Sequence, residues 1–242
     1  MTMIAENLYH VQTRIAQACA RAGRAGDTVK LLAVSKTFGA DAVARAHSAG
    51  QTAFGENYIQ EAVEKIQALQ HLPLEWHCIG PIQSNKTRLV AEHFDWVHTI
   101  DRLKIAQRLS EQRPAQLAPL QVCIQVNVDG GASKSGVSEV EALALAQAVA
   151  AFPRLKLRGL MCIPEPAPDF IAACAVFARA RAIFDAIQKA GVPLDTLSMG
   201  MSGDLEAAIA SGSSMVRVGS AIFGVRHHGP VGPEAPAIIT AS

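Results

Sequence analysis

The feature that most constrains the fold is an eightfold alternation of short apolar segments with longer segments of helical periodicity. The short segments are rich in β-branched residues and predict strands. They cover residues 31–35, 52–55, 76–80, 96–100, 121–128, 157–163, 196–201 and 215–219. Because these segments are almost continuously apolar, they predict parallel strands that are buried on both faces.

Eight strand–helix repeats close most naturally into a single (β/α)8 barrel of the TIM type. An extra helix precedes it, in which Ile4, Leu8, Val11 and Ile15 fall on one face. The length of 242 residues suits such a barrel, which typically needs about 250. The rival fold is an open doubly wound sheet, but the first strand-to-helix turn reads SKTFGAD and lacks its glycine fingerprint.

Local signals mark several boundaries. Ser138 and Glu141 are spaced as a capping box at the start of one helix, and Gly191 followed by Pro193 predicts the end of another. We expect the barrel domain to span residues 1–225. The Pro- and Gly-rich segment 226–242 is expected to form a flexible tail.

Composition argues against several classes of partner. The chain has 22 basic and 21 acidic residues, which gives no electrostatic case for binding nucleic acid or an anionic membrane. No segment approaches the roughly 18 apolar residues of a membrane span, and polar residues interrupt any N-terminal signal peptide. The five cysteines have no metal-ligand spacing and are expected to be reduced, buried thiols. We therefore expect a cytoplasmic protein without a bound metal.

Lys36 is the leading candidate for chemistry, because it ends the first apolar strand, LLAVSK. The active face of such barrels lies at the carboxyl ends of the strands. Desolvation there would favour the neutral, nucleophilic amine, which can form a Schiff base with a carbonyl compound. The alternative is that Lys36 points outward and pairs with a carboxylate such as Glu56.

The turns after the seventh and eighth strands predict an anion site. GMSGD places Ser202 at the start of a helix, and VGSAIFG places Gly219 and Ser220 after the last strand. Backbone N–H groups of such turns bind phosphate, and barrels use these two loops for it. The alternative is that Ser202 only caps its helix, which Asp204 and Glu206 would also favour.

Arg217 lies within the eighth strand between two valines. If it faces the barrel interior it needs an acceptor, since its charge is permanent. A pyridine nitrogen would serve and would then stay unprotonated. A buried ion pair with a carboxylate is the other possibility.

Three further candidates carry less weight. Asn57 and Asn85 would either bind a ligand or cap the helices that they precede, and His77 is expected to be a hydrogen-bonded core histidine. The Gly-rich loop that contains Lys134 lacks the spacing of a nucleotide-binding loop.

The segments LLAVSKTF, FGENYIQE, WHCIGPIQSNK, HTIDR, LRGLMCIP, LSMGMSGDLEAAI and VRVGSAIFG resemble the pyridoxal-phosphate homeostasis protein family. The resemblance runs to about Gly224 and implies a fold like the N-terminal domain of alanine racemase. It implies that the chain binds pyridoxal 5′-phosphate (PLP) and takes part in vitamin B6 homeostasis without an established catalytic turnover. By this resemblance the Schiff-base lysine is Lys36. The other cofactor-binding residues that it implies are Asn57, Met201, Ser202, Arg217, Gly219 and Ser220.

A PLP-dependent amino-acid racemase is the alternative function. Racemisation needs a second base, which in alanine racemase is a tyrosine from a separate domain. This sequence has only Tyr9 and Tyr58, and it ends soon after the barrel. We therefore expect a PLP carrier, monomeric, with PLP-dependent apoenzymes as acceptors. A barrel aldolase that uses Lys36 on phosphorylated sugars is a third, lesser possibility.

Overall fold

The computed structural model describes residues 2–130 and 135–224. Within them, eight parallel strands pair in chain order, and the last strand pairs with the first to close a barrel. The predicted fold class is therefore confirmed. The strands are β1 (Lys30–Val34), β2 (Ala53–Glu56), β3 (Glu75–Cys78), β4 (Trp96–Ile100), β5 (Leu120–Gln125), β6 (Leu155–Met161), β7 (Thr196–Ser198) and β8 (Met215–Val218).

Helices surround the barrel, and an additional one precedes it. They are α1 (Met3–Arg21), α2 (Ala40–Ser48), α3 (Ile59–Ala68), α4 (Thr87–His93), α5 (Leu103–Gln112), α6 (Glu139–Ala150), α7 (Phe170–Lys189), α8 (Leu205–Ala210) and α9 (Ser220–Phe223), with 3-10 turns at Gly26–Thr28 and Ser84–Lys86. The extra helix α1 buries its apolar face against α8 and α9, next to the junction of β8 and β1. It thereby covers the outside of the place where the barrel closes.

The sequence signals for helix ends are confirmed. Ser138 caps α6, and the Glu141 carboxylate accepts a hydrogen bond from the Ser138 N–H at 3.0 Å. Gly191, after α7, has a φ of 90°, which glycine adopts without strain.

Side chains of the strands alternate between the barrel interior and the helix layer. On β1, Leu32 and Val34 belong to a small apolar cluster inside the barrel, whereas Ala33 packs in the large core between sheet and helices. Lys36 lies two residues beyond Val34, in the turn that follows β1 at the carboxyl end of the barrel. The fold thus directs Lys36 to the mouth of the barrel.

All five cysteines are free thiols, as the sequence predicts, and four of them are buried, whereas Cys174 is partly exposed. Burial raises the pKa of Cys78, Cys123 and Cys162 to about 12, so these thiols are protonated at neutral pH. No helix in residues 2–130 or 135–224 has the length and apolar character needed to cross a membrane. The proposed tail 226–242 and Lys134 lie outside the described residues.

Candidate functional site

Lys36 lies half-buried at the carboxyl end of the barrel, immediately beyond β1. It lines a cavity of about 200 Å³ together with Val34, Thr37, Phe38, Gly219, Ser220 and Gly224. Within the described parts of the chain, Lys36 Nζ has neither a hydrogen bond nor an ion pair. The alternative pairing with Glu56 is not found, because the Glu56 carboxylate is bound by Lys65 at 2.7 Å.

The backbone on both sides of Lys36 is held by residues of α3. Lys65 Nζ donates a hydrogen bond to the Ser35 carbonyl at 2.8 Å, and the Thr37 N–H donates to the Glu61 carboxylate at 2.6 Å. Thr37 has a φ of 70°, a left-handed conformation that is uncommon for any residue other than glycine. The position of Lys36 is thus fixed from behind while its side chain remains unpaired.

The cluster behind Lys36 is charged and internally paired, and all of it except Glu61 is buried. Lys65 lies between Glu56 and Glu61, at 2.7 Å from a carboxylate oxygen of each, and the Ser35 hydroxyl donates to Glu56 at 2.6 Å. Burial raises the pKa of Glu56, and the charge of Lys65 only partly opposes this change. This arrangement explains why Ser35 turns away from the site.

Asn57 directly follows β2, the strand that pairs with β1. Val34 of β1 is paired with Gly55 of β2, and Lys36 and Asn57 each follow two residues later. Asn57 Oδ1 is buried without a hydrogen-bond partner. The position before α3 that caps a helix belongs to Tyr58, so Asn57 does not cap it. Asn57 thus offers a buried acceptor without a partner on the strand end that neighbours the one before Lys36.

Gly80, which follows β3, packs directly on this asparagine. A Cβ atom at residue 80 would lie 2.1 Å from the Asn57 carbonyl oxygen, so only glycine fits there. The approach places the end of β3 against the backbone of Asn57. Asn85, the other asparagine considered, lies in the 3-10 turn Ser84–Lys86.

The turns after β7 and β8 present free backbone donors. The N–H groups of Ser202, Gly203, Gly219 and Ser220 have no acceptor in the part of the chain that the structure describes. Ser202 does not cap α8, since Asp204 occupies the cap position. Of the residues in these turns, Gly219 and Ser220 share the cavity of Lys36.

Met201 faces a different cavity from Lys36. The Met201 N–H donates to the Asp204 carboxylate at 2.6 Å, which closes the turn after β7. Its side chain is 38% exposed and lines a cavity of about 540 Å³ between the β6 and β7 loops, with Ile163, Pro164 and Phe170 among its neighbours. The structure therefore does not place Met201 in the same cavity as the lysine.

Arg217 is buried inside the barrel, with 4% of its surface exposed. Its Nη1 donates to the carbonyl and hydroxyl oxygens of Ser198 at 2.7 and 2.8 Å, and its Nη2 donates to the Cys162 carbonyl at 2.8 Å. No carboxylate in the described residues pairs with it, so the ion pair that the sequence left open is absent there. Its Nε–H and its second Nη2–H have no acceptor among the described residues.

Sequence reasoning missed the polar residues that lie beneath Arg217. His98 is buried on β4 and bonds both Ser198 and His77, while His77 also bonds Glu75. The expectation of a hydrogen-bonded core histidine at position 77 is confirmed. Ser198 and His98 are 100 residues apart, and no local pattern indicates their contact.

Comparisons with known proteins identify the family to which this chain belongs. The family described as "Alanine racemase, N-terminal domain" matches residues 7–227. The "Pyridoxal phosphate homeostasis protein" of Pseudomonas aeruginosa is 59% identical over 95% of this chain and 98% of its own length. The protein of that name from Escherichia coli K12 is 54% identical over 94% of this chain and 99% of its own. This chain belongs to the pyridoxal phosphate homeostasis protein family.

Solved structures agree with this assignment. PipY of Synechococcus elongatus, determined with PLP bound, is 35% identical and superposes with a TM-score of 0.79 over 91% of this chain and 100% of its own. The alanine racemase of Corynebacterium glutamicum is 21% identical, with a TM-score of 0.67 over 93% of this chain and 61% of its own. The likeness to the racemase concerns the fold alone.

Proposed function

We propose that this chain binds PLP at the carboxyl end of its barrel, covalently through Lys36, and serves intracellular PLP homeostasis as a carrier. The observation that carries the proposal is the cavity in which an unpaired lysine amine lies with the free backbone donors of Gly219 and Ser220. The relatives named for PLP homeostasis and the PLP complex of PipY support the choice of cofactor.

The unpaired groups of the site fit the parts of PLP. PLP supplies an aldehyde that condenses with a primary amine, a pyridine ring that draws electrons, and a phosphate dianion. The amine of Lys36 suits the aldehyde, and the buried Asn57 Oδ1 is an acceptor for a ring hydroxyl. An unsatisfied buried acceptor costs about 1–3 kcal/mol, so a donor at this position is favoured.

Arg217 suits the ring nitrogen. Its three hydrogen bonds hold the guanidinium on the wall formed by β6 and β7, which leaves Nε–H and one Nη2–H to donate. Because arginine keeps its proton, the ring nitrogen opposite it accepts a hydrogen bond and stays unprotonated. A ring in that state is a weak electron sink, which suits holding PLP more than activating an amino acid.

The phosphate is assigned to the turns after β7 and β8. Gly219 and Ser220 offer unpaired N–H groups in the cavity of Lys36, and glycine allows close approach. Ser202 and Gly203 offer theirs on the turn after β7, where Gly203 lines the cavity that Met201 faces. Asp204 already accepts from Met201, which turns part of its negative charge toward its own loop. Met201 immediately precedes Ser202 and faces the neighbouring cavity, so it would border this phosphate site from outside.

The carrier role rests on what the residues around Lys36 can do. Racemisation requires a base on the second face of the substrate α-carbon. Tyr9 and Tyr58 are 65% and 54% exposed, so neither is enclosed with Lys36. The half-buried amine of Lys36, with Arg217 as the fixed cation of the site, suits reversible binding of an aldehyde. We further propose a monomer in the cytoplasm that passes PLP to apoenzymes.

A spectroscopic titration tests the covalent binding. Adding PLP to the purified protein should produce a visible absorption band, and Lys36→Ala should abolish it. The double variant Lys36→Ala with Lys134→Ala controls for capture by a second lysine. A visible band of unchanged intensity in both variants would contradict the assignment of Lys36.

A second experiment separates the carrier from the racemase. The PLP-loaded protein is incubated in heavy water with each proteinogenic amino acid, and deuterium at the α-carbon is measured. A carrier should incorporate none above the level of free PLP. Sustained incorporation into one amino acid would instead establish an enzyme.

A further inference from the structure

A row of hydrogen-bonded, buried polar side chains crosses the barrel interior from Arg217 toward the amino ends of the strands. Ser198 Oγ lies 2.8 Å from Arg217 Nη1 and 2.8 Å from His98 Nδ1. His98 Nε2 lies 2.9 Å from His77 Nδ1, and His77 Nε2 lies 2.6 Å from Glu75 Oε1. Ser198, His98 and His77 are fully buried, so each must find its hydrogen-bond partners within this row.

The carboxylate at the far end determines where the protons lie. Although burial alone would raise it, hydrogen bonds from His77 and Lys30 lower the pKa of Glu75 to about 2. Glu75 is therefore an ionised acceptor at neutral pH, and His77 Nε2 must carry a proton to donate to it. Burial lowers the pKa of His77 to about 4, so this ring is neutral and its Nδ1 is bare.

The remaining proton positions follow in sequence. Because His77 Nδ1 is bare, it accepts from His98 Nε2–H. Burial, aided by the nearby positive charge of Arg217, places the pKa of His98 well below its usual value. His98 is therefore neutral as well, and its Nδ1 accepts the hydroxyl proton of Ser198. The Ser198 oxygen is then left with lone pairs toward Arg217.

We propose that Ser198, His98 and His77 form a directed hydrogen-bond relay that positions Arg217 for the PLP ring nitrogen. Every donor in the relay points from the cofactor end toward Glu75. Arg217 can only donate, and the relay gives it an oxygen that can only accept. The guanidinium is thereby held by a third bond in addition to the two backbone carbonyls. The relay presupposes the PLP site proposed above.

The groups packed against the relay are compatible with neutral imidazoles. Trp96 stacks on His77 with ring centroids 5.2 Å apart. The Arg158 guanidinium lies over the Trp96 ring, 4.8 Å from its centroid. Lys30, the other cation near the relay, pairs with Glu75 and not with the imidazoles. Cations on both sides oppose a further proton on either histidine.

The tautomers can be measured without PLP. Long-range 15N–1H correlation spectra distinguish a protonated from a bare ring nitrogen in each histidine. At neutral pH, His77 and His98 should both be neutral with the proton on Nε2. A proton on Nδ1 of His98, or a charged ring at either position, would overturn the direction of the relay.

A matched pair of serine variants tests the positioning role. Ser198→Ala removes the oxygen that Arg217 binds, whereas Ser213→Ala removes a buried hydroxyl that bonds only the carbonyls of Leu197, Met199 and Met215. Ser198→Ala should raise the PLP dissociation constant roughly tenfold, the scale of one hydrogen bond to a charged group, and move the visible band. Ser213→Ala should change neither, although both variants lose some stability.

The conservative variant and the wild type separate the possible failures. Ser198→Thr keeps the hydroxyl and should recover most of the affinity and the band position. If the wild type binds PLP through Lys36 but Ser198→Ala is indistinguishable from Ser213→Ala, the relay is wrong and the PLP site stands. If the wild type shows no band that depends on Lys36, the PLP site itself is wrong.

Discussion

Two lysines at opposite ends of β1 have opposite environments. Lys30, at the amino end, is bound by the Glu75 carboxylate, which also accepts from His77. Lys36, just beyond the carboxyl end, has no partner in the described parts of the chain and shares a cavity with Gly219. One end of the barrel thus satisfies its own charges, while the other keeps polar groups available. Binding is expected where groups are left unsatisfied.

Lys65 extends this comparison into the helix layer. Its side chain is 6% exposed and bonds the Ser35 carbonyl as well as two carboxylates. Lys65 therefore has the contacts of a structural lysine, and it holds the backbone next to the unpaired Lys36. If the distinction between paired and unpaired lysines is correct, substitutions at the three positions should change stability by different amounts, and only one of them should directly remove PLP binding.

Lys65→Met should have the largest effect on stability. It leaves Glu56 buried without its counter-charge, and breaking a buried pair in this way costs about 3–5 kcal/mol. Urea denaturation at neutral pH measures the loss. The double variant Lys65→Met with Glu56→Gln should regain much of it, since the one unpaired carboxylate that remains, Glu61, is partly exposed. A loss below about 1 kcal/mol for the single variant would mean that Lys65 is not a structural anchor.

The second-largest effect on stability is expected from acid, which acts on His77 at the amino end of the barrel. His77 has a folded-state pKa of about 4, below the ordinary 6.5, so the unfolded chain binds more protons between these values. The free energy of unfolding should therefore fall by about 2 kcal/mol from about pH 7 to about pH 5, from His77 alone. His77→Gln should show a flatter dependence over this range. An equally steep dependence in that variant would show that other groups cause it.

Lys30→Met should cost less, at most about 1 kcal/mol. The Lys30 and Glu75 side chains are 40% and 36% exposed, and ion pairs at such positions contribute little. The cost should shrink further in high salt, because screening weakens the pair in the wild type. Denaturation at low and high ionic strength checks this. A cost that does not depend on salt would argue against the ion pair as its source.

Lys36→Met should have the smallest effect on stability, within about 0.5 kcal/mol, because no described hydrogen bond or ion pair of the amine is lost. It should nevertheless remove PLP binding altogether, which none of the other lysine substitutions is expected to do directly. Denaturation without PLP and titration with PLP measure the two properties on one variant. A stability loss comparable to that of Lys65→Met would place Lys36 among the structural lysines.

The sequence predicted what depends on local pattern. The strand alternation indicated the closed barrel, the Ser138–Glu141 spacing indicated the capping box, and the position of Lys36 at a strand end placed it at the barrel mouth. These features follow from neighbours in sequence, where backbone periodicity and turn chemistry act. The residue types at Gly219 and Ser220 likewise indicated the turn that shares the cavity of Lys36.

The sequence could not predict contacts that closure of the barrel creates. The His98–Ser198 bond joins β4 to β7 across the interior, and the Lys65–Ser35 bond joins α3 to the end of β1. Neither contact has a periodic signal, because each depends on which strands meet when the sheet closes. The cavity faced by Met201 depends in the same way on how the β6 and β7 loops pack.

Reductive trapping tests the central claim about Lys36 most directly. The protein is loaded with PLP, reduced with borohydride, digested and mapped by mass spectrometry. The predicted result is one dominant adduct on the peptide that contains Lys36, with Lys30 and Lys65 unmodified. An adduct distributed over surface lysines, with Lys36 unmodified, would contradict the claim.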